Sequence, residues 1–220
     1  MTIEFPGPAG PIEGLLDLPE VFPDPDRPRA VVVFAHPLPT QGGTMHTKVV
    51  FQGAKALART GCAVVRFNFR GVGRSAGTFD RGRGEMEDFR AAVDHAASRY
   101  PAVSEIWAAG FSFGAYVALI EGARDERVRA LIGISPPLAR YDFATLEQSP
   151  KPKFFVQGEF DELCPLSALR AFYAKLPEPK EMVVIDAADH LYEGKVSQVA
   201  EALEDLLGDF STGVGPNPGQ

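Results

Sequence analysis

The sequence predicts a single-domain α/β fold, with a mostly parallel central sheet and helices on both faces. Three observations carry this. Short continuous apolar runs such as Ala30 to Ala35 (AVVVFA) and Val128 to Ile134 (VRALIGI) have the composition of strands buried on both faces. These runs alternate with segments of helical apolar spacing, the order that builds a parallel sheet. The chain has 220 residues, 45% hydrophobic and 23% charged, enough for one such domain and its core. No internal repeat and no linker divides it.

Taken in order, residues 3 to 19 hold a short strand over Gly14 to Leu18. The proline-rich stretch Val21 to Arg29 is a surface connection. After the strand Ala30 to Ala35, HPLPTQGG breaks the run, and Lys48 to Arg59 carries Val49, Val50, Ala54, Leu57 and Ala58 at helical spacing. Cys62 to Phe69 is the next strand, and RGVGRSAG (70–77) a glycine-rich loop. Glu85 to Ser98 is an amphipathic helix with Met86, Phe89, Val93 and Ala97 on one face. Val103 to Ala109 reads as a strand and Ala115 to Glu121 as a helix. Val128 to Ile134 is followed by a brief loop from Leu138 to Pro150. Lys153 to Gln157 and Met182 to Ile185 are strands, and Pro165 to Leu176 and Glu193 to Leu207 helices. The domain is expected to end at residue 208, and residues 209–220 have too little to bury to be ordered.

The net charge is −7, and no basic run is present, which argues against nucleic acid or an anionic membrane as partner. No apolar stretch approaches the length of a membrane span. The N-terminus MTIEFPGPAG lacks the pattern of a secretory signal, so a cytoplasmic location is expected. There a disulfide between Cys62 and Cys164 is not expected, and two cysteines make no zinc motif. Cys62 falls in a strand and should be buried; Cys164 falls in a loop.

The segment AAGFSFGAY (108–116) is the centre of the chemical reading. Gly110, Ser112 and Gly114 form Gly-x-Ser-x-Gly between a strand and a helix, the pattern of a nucleophile elbow. Such a pentapeptide arises by chance in about one chain of this composition in ten, so its strand-turn-helix context carries the argument. The alternative is a glycine-rich turn with a serine helix cap. A serine hydroxyl needs a base to become a nucleophile, and the base needs an orienting acid. Of four histidines, His36 ends a strand, His46 lies near the start of a helix and His95 falls within one; His190 follows the last strand in the loop DAADHLYEG and is the expected base. Asp161, four residues beyond Gln157 in QGEFDELCP, is the expected acid and gives the chain order Ser, Asp, His. Glu159 and Glu162 are its neighbouring alternatives, and Asp186 and Asp189 stand too close to His190 along the chain.

A tetrahedral oxyanion needs two convergent N–H donors. Phe113, immediately after the serine, supplies one. The other belongs to the loop after Ala35, where Pro37 has no N–H and Leu38 is the natural donor. Gly42 and Gly43 would let that loop approach a substrate. The glycines at 71, 73 and 77 do not have dinucleotide spacing, and no phosphate loop is present; this loop is expected to be structural and to border the site.

Together, HPLPTQGGTMHTKVV (36–50), FNFRGVGRSAGTFD (67–80), GFSFGA (110–115), QGEFDELCP and DAADHLYEG resemble the α/β-hydrolase superfamily over residues 12 to 208. More closely, the chain is similar to the small bacterial hydrolases grouped beside dienelactone hydrolases. The resemblance implies an α/β-hydrolase fold, a Ser112–Asp161–His190 triad and no cofactor or metal. A dienelactone hydrolase proper has cysteine as nucleophile where this chain has Ser112, and the commoner first loop has histidine where this chain has Leu38. Residues 138–150 are too few for the helical lid of many members, which implies an open site suited to small substrates.

The expected function is hydrolysis of short-chain carboxylic esters through an acyl-enzyme, with a small-molecule ester as partner and the protein a monomer or homodimer. A histidine base predicts activity that falls with acid. The same three residues would serve a thioesterase, a peptidase or an acyltransferase, and a non-catalytic ligand-binding protein on this fold is the reading of a different class.

Overall fold

The computed structural model describes residues 1–19 and 27–212. The expected surface connection at 21–29 and the expected disorder at 209–220 lie largely outside these residues.

The centre is an eight-stranded sheet in the order β1-β2-β4-β3-β5-β6-β7-β8. The strands are β1 (Thr2–Gly7), β2 (Gly10–Asp17), β3 (Val31–Ala35), β4 (Ala63–Phe67), β5 (Ile106–Phe111), β6 (Val128–Ile134), β7 (Lys153–Gly158) and β8 (Lys180–Ile185). From β4 to β8 all pairings are parallel; β2 is antiparallel to both β1 and β4. The helices are α1 (Lys48–Arg59), α2 (Arg83–Arg99), α3 (Phe113–Arg124), α4 (Ala144–Glu147), α5 (Leu166–Tyr173) and α6 (Val196–Leu207). Every residue of β3, β4 and β5 is buried, because helices cover both faces there. Alternate side chains divide the core. Val31, Val33, Phe67 and Ala108 face Phe89, Val93, Val117 and Ala118 of α2 and α3. Val32, Phe34, Trp107 and Ala109 face Val50, Leu57, Val199 and Leu203 of α1 and α6.

The structure corrects the sequence reading at both ends. Residues 2–17 form a hairpin, not one strand at Gly14–Leu18, and Leu18 is exposed. Pro6, Gly7, Pro8, Gly10 and Pro11 hide β1 from sequence patterns; edge position lets prolines stay in the strand. At the other end, order continues past residue 208. Phe210 packs on Trp107 and Phe154 with ring centroids 5.4 and 4.7 Å apart.

The connection between β6 and β7 holds only the four-residue α4, so among the described residues no lid covers the carboxyl ends of the strands. Among the described residues no helix is long and apolar enough to cross a membrane. Both cysteines are free and buried.

Candidate active site

All four segments expected to carry chemistry lie at the carboxyl ends of parallel strands: Leu38 after β3, Ser112 after β5, Asp161 after β7 and His190 after β8. Ser112 is the pivot. Its backbone has φ 54° and ψ −120°, a strained conformation for a residue with a side chain. The strain persists because the elbow is packed from both sides. A Cβ on Gly110 would lie 2.2 Å from the Gly114 carbonyl oxygen, and one on Gly114 would lie 2.4 Å from that of Ala35. Only glycine admits these approaches of strand to helix and of helix to β3.

Ser112 Oγ lies 2.9 Å from His190 Nε2. The other ring nitrogen, Nδ1, lies 3.0 and 2.9 Å from the two carboxylate oxygens of Asp161. A carboxylate only accepts, so Nδ1 carries the proton and donates it, which leaves the Nε2 lone pair facing the serine hydroxyl. Asp161 also accepts from the amides of Leu163 (3.0 Å) and Cys164 (2.8 Å) and from Gln157 Nε2 (3.1 Å). Burial pushes the Asp161 carboxyl up, but hydrogen bonding and charge from His190, with contributions from Ser135 and the Cys164 amide, outweigh it and hold the group below its ordinary range.

The alternatives to Asp161 do other work. Glu159 accepts the amide of Ala187 at 2.9 Å and so ties the acid loop to the histidine loop. Asp189 accepts the amide of Glu193, and the Asp186 carbonyl accepts Lys195 Nζ. Cys164 stands beside Asp161 and His190, but burial and the Asp161 charge push its thiol up to about 12, so it stays protonated.

Leu38 and Phe113 line the same cleft as Ser112 and His190, and among the described residues neither amide has a hydrogen-bond acceptor. Phe113 is the first residue of α3, where amides are unpaired by construction. Leu38 is held by its loop. Its carbonyl accepts the amides of Gln41 and Gly43, each at 3.1 Å. Gly43 serves this turn and not substrate access, since a Cβ there would meet the Pro37 carbonyl oxygen at 2.1 Å. His36, which the sequence marks only as a strand end, anchors the loop base. It is fully buried, its Nδ1 lies 2.7 Å from the Pro37 carbonyl, and its Nε2 accepts the Phe69 amide at 3.1 Å. Burial lowers its pKa to about 4, so it is neutral at pH 7. The remaining histidines stand apart: His95 stacks on Phe5, and His46 is exposed.

The glycine-rich loop at 70–77 is structural. Glu13 accepts from Asn68 Nδ2 at 2.8 Å and from Arg74 Nε at 3.0 Å, and Ser75 Oγ donates to the Asn68 carbonyl at 2.7 Å. The loop does not line the cleft. Its neighbour Phe69 reaches the site, with its ring meeting Phe113 and its amide meeting His36.

Several residues of the site carry no sequence signal of their own. Tyr192 is buried, and its hydroxyl lies 2.8 Å from Ser135 Oγ and 3.3 Å from the Val156 carbonyl, which pins the histidine loop to β6 and β7. Gln157 was visible only as a polar residue ending an apolar strand. Arg140 and Tyr141, from the connection after β6, form one wall of the cleft. The cleft is small, with about 30 Å³ of space open to the centre of a water molecule.

Comparison with known proteins agrees with this architecture. The sequence model of the family described as serine aminopeptidase, S33, matches residues 26–148. An uncharacterised protein of Rickettsia prowazekii is 35% identical over 93% of this chain and 87% of its own. The structure of an α/β serine hydrolase homologue from Coxiella burnetii is 37% identical, covers 94% of this chain and 97% of its own, and superposes with a TM-score of 0.87. A Xanthomonas campestris protein described as an α/β serine hydrolase without lid is 37% identical, covers 93% and 92%, and has a TM-score of 0.85. With a match over more than half its length and such relatives along nearly all of it, the chain belongs to the serine aminopeptidase S33 family, among the small lidless α/β serine hydrolases.

Proposed function

We propose that the protein is a serine carboxylesterase acting on small, short-acyl esters through Ser112, His190 and Asp161. The observation that carries this is the hydrogen-bonded chain from Asp161 through His190 to Ser112, set beside two amides with no acceptor. In the acylation step His190 Nε2 takes the proton of Ser112 as Oγ attacks the ester carbonyl. Asp161 keeps the proton on Nδ1 and stabilises the imidazolium. The amides of Phe113 and Leu38 receive the oxyanion. His190 then returns the proton to the leaving alcohol, and water activated by the same nitrogen releases the acid. The reaction needs no cofactor or metal.

The family description favours a second reading, cleavage of an amino-terminal peptide bond. An aminopeptidase must hold a protonated α-amine close to the scissile carbonyl, which calls for a free carboxylate in the cleft. Among the described residues, those lining the cleft include Arg140 and no Asp or Glu, so the charge there has the wrong sign for that substrate. The small volume and missing lid favour short chains over long lipids.

Hydrolysis of 4-nitrophenyl esters from acetate to palmitate, by wild type and Ser112→Ala together, tests the proposal. Turnover is expected to be strongest on short chains and lost in the variant, by roughly a million-fold in kcat as for nucleophile loss in a serine hydrolase. Equal activity in both proteins would dismiss Ser112. Turnover of an amino-acid 4-nitroanilide with no turnover of esters would establish the peptidase instead.

A further inference from the structure

The inference concerns Arg140 and rests on the esterase reading. Among the described residues, Arg140 is the one Lys, Arg, Asp or Glu that lines the cleft. Its neighbours there are apolar or neutral: Leu38, Phe113, Pro137, Tyr141 and Leu163. The guanidinium is exposed, and among the described residues it has neither a salt-bridge nor a hydrogen-bond partner. Several arginines of this acidic chain are paired, Arg66 with Asp17, Arg70 with Asp88, Arg74 with Glu13, and Arg127 with Asp94 and Asp125; of those that form no ion pair among the described residues, Arg140 is the one that lines the cleft. The nearest acid along the chain, Asp142, is occupied elsewhere. It caps the amide of Ala144 at 2.8 Å and lines a neighbouring groove with Glu147.

The backbone carrying Arg140 is fixed. The Arg140 amide donates to the Pro137 carbonyl at 3.0 Å and that of Leu138 to the Pro136 carbonyl at 2.9 Å, directly after the buried Ser135. Tyr141 and Cys164, on which the Arg140 charge acts, line the same cleft. A planar fork of donors on a fixed backbone, unpaired among the described residues and bordering the catalytic cleft, matches a carboxylate in shape and charge.

We infer that Arg140 is a specificity residue that receives a carboxylate borne by the ester substrate, so that the preferred substrates are half-esters of dicarboxylic acids or esters of hydroxy acids. The first kind carries the charge on its acyl side, the second on its alcohol side. Chemistry is unchanged by the contact; Arg140 orients the ester and raises its occupancy.

The test uses two pairs of esters matched in size. Mono(4-nitrophenyl) adipate and its neutral methyl ester place the charge on the acyl side. 4-Acetoxybenzoate and 4-acetoxybenzamide place it on the alcohol side. Each is assayed with wild type, Arg140→Gln and Arg140→Lys. The expected result is that wild type prefers the anionic member of one pair. Arg140→Gln should raise KM for that ester roughly tenfold to a hundredfold with kcat little changed, the loss of a charge-assisted hydrogen bond, while the neutral ester stays within about twofold. Arg140→Lys should recover part of the loss, and added salt should erode the preference in wild type and Arg140→Lys but have no preference to erode in Arg140→Gln. A variant that lowers activity on neutral and anionic esters alike would show a structural role and overturn the inference. Neutral esters turned over with no anionic preference in either pair would overturn it and leave the esterase standing. No turnover of any of the four esters would bring down both readings.

Discussion

Both carboxylate oxygens of Asp161 lie within 3.0 Å of His190 Nδ1, and the Cys164 amide and the Gln157 amide nitrogen fix the carboxylate from behind. The ring therefore cannot turn to offer Nδ1–H elsewhere. Asp161→Asn keeps the shape but puts an N–H donor where only an acceptor works, which favours the wrong imidazole tautomer. A fall in kcat of about 10⁴ is expected, with KM close to wild type. Steady-state kinetics on a short ester would check it, and a loss under tenfold would mean that His190 does not depend on this acid. The depressed Asp161 pKa adds a stability term with a definite sign. The group stabilises the fold above its unfolded pKa of about 3.9, and that contribution is lost as pH falls through the lower folded value. Asp161→Asn should flatten the acid limb of a stability curve in that window.

His36 makes a second pH-dependent term with different bounds. Its folded pKa is about 4, depressed by burial against an ordinary value of 6.5. Between those two pH values the unfolded chain binds a proton and the folded chain does not. Stability is therefore full above pH about 6.5 and falls towards pH 4, by roughly 3 kcal/mol from this residue alone. Urea unfolding of wild type and His36→Gln at intervals from pH 7 to 4 would read it. The expected outcome is a shallower decline with acid for the variant, whose side-chain amide can still accept the Phe69 N–H but does not titrate. Parallel curves would show that His36 is not buried neutral.

The sequence was most informative where one interaction dominates. The runs AVVVFA and VRALIGI match β3 and β6 within a residue because strands covered on both faces need uninterrupted apolar composition. Residues 48–59 form α1 over their whole predicted length, since its buried face follows the helical period. Ser112, Asp161 and His190 come together as their places after β5, β7 and β8 require. What stayed hidden depends on tertiary partners. β1 forms only because β2 offers an edge to pair with, and its prolines mask any alternation. His36 and Tyr192 read as unremarkable residues until the loops they brace are seen. Arg140 looks like any surface arginine in PLARYD, and only the cleft it borders distinguishes it.

Gly114→Ala tests the packing that creates the elbow. The new Cβ would lie 2.4 Å from the Ala35 carbonyl oxygen and 2.5 Å from that of His36. Both are backbone atoms held in or beside the sheet, so α3 must move away from β3. A loss of about 3 kcal/mol is expected, which for a domain of this size lowers Tm by roughly 6–12 °C. Because the helix start carries the Phe113 amide, kcat should fall with it. Calorimetry and ester kinetics on the same preparation would check both effects, and a variant with wild-type Tm would place the close approach in error.

Tyr192→Phe separates anchoring of the histidine loop from the chemistry itself. The Tyr192 hydroxyl stands 2.8 Å from Ser135 Oγ and 3.3 Å from the Val156 carbonyl, two residues along the chain from His190, and its ring packs against Phe111 just before the nucleophile. Phenylalanine keeps the ring contact and removes the tether, leaving Ser135 Oγ buried with one partner fewer. The stability cost should be about 1–2 kcal/mol. If the tether sets where His190 rests, kcat should fall roughly tenfold while KM holds, since a displaced base slows proton transfer without weakening substrate binding. Ser135→Ala in the same background should then add less than it costs alone, because the bond the two hydroxyls share is already gone. Independent, additive losses in the double variant would assign the two residues separate roles and remove the tether from the account of the site.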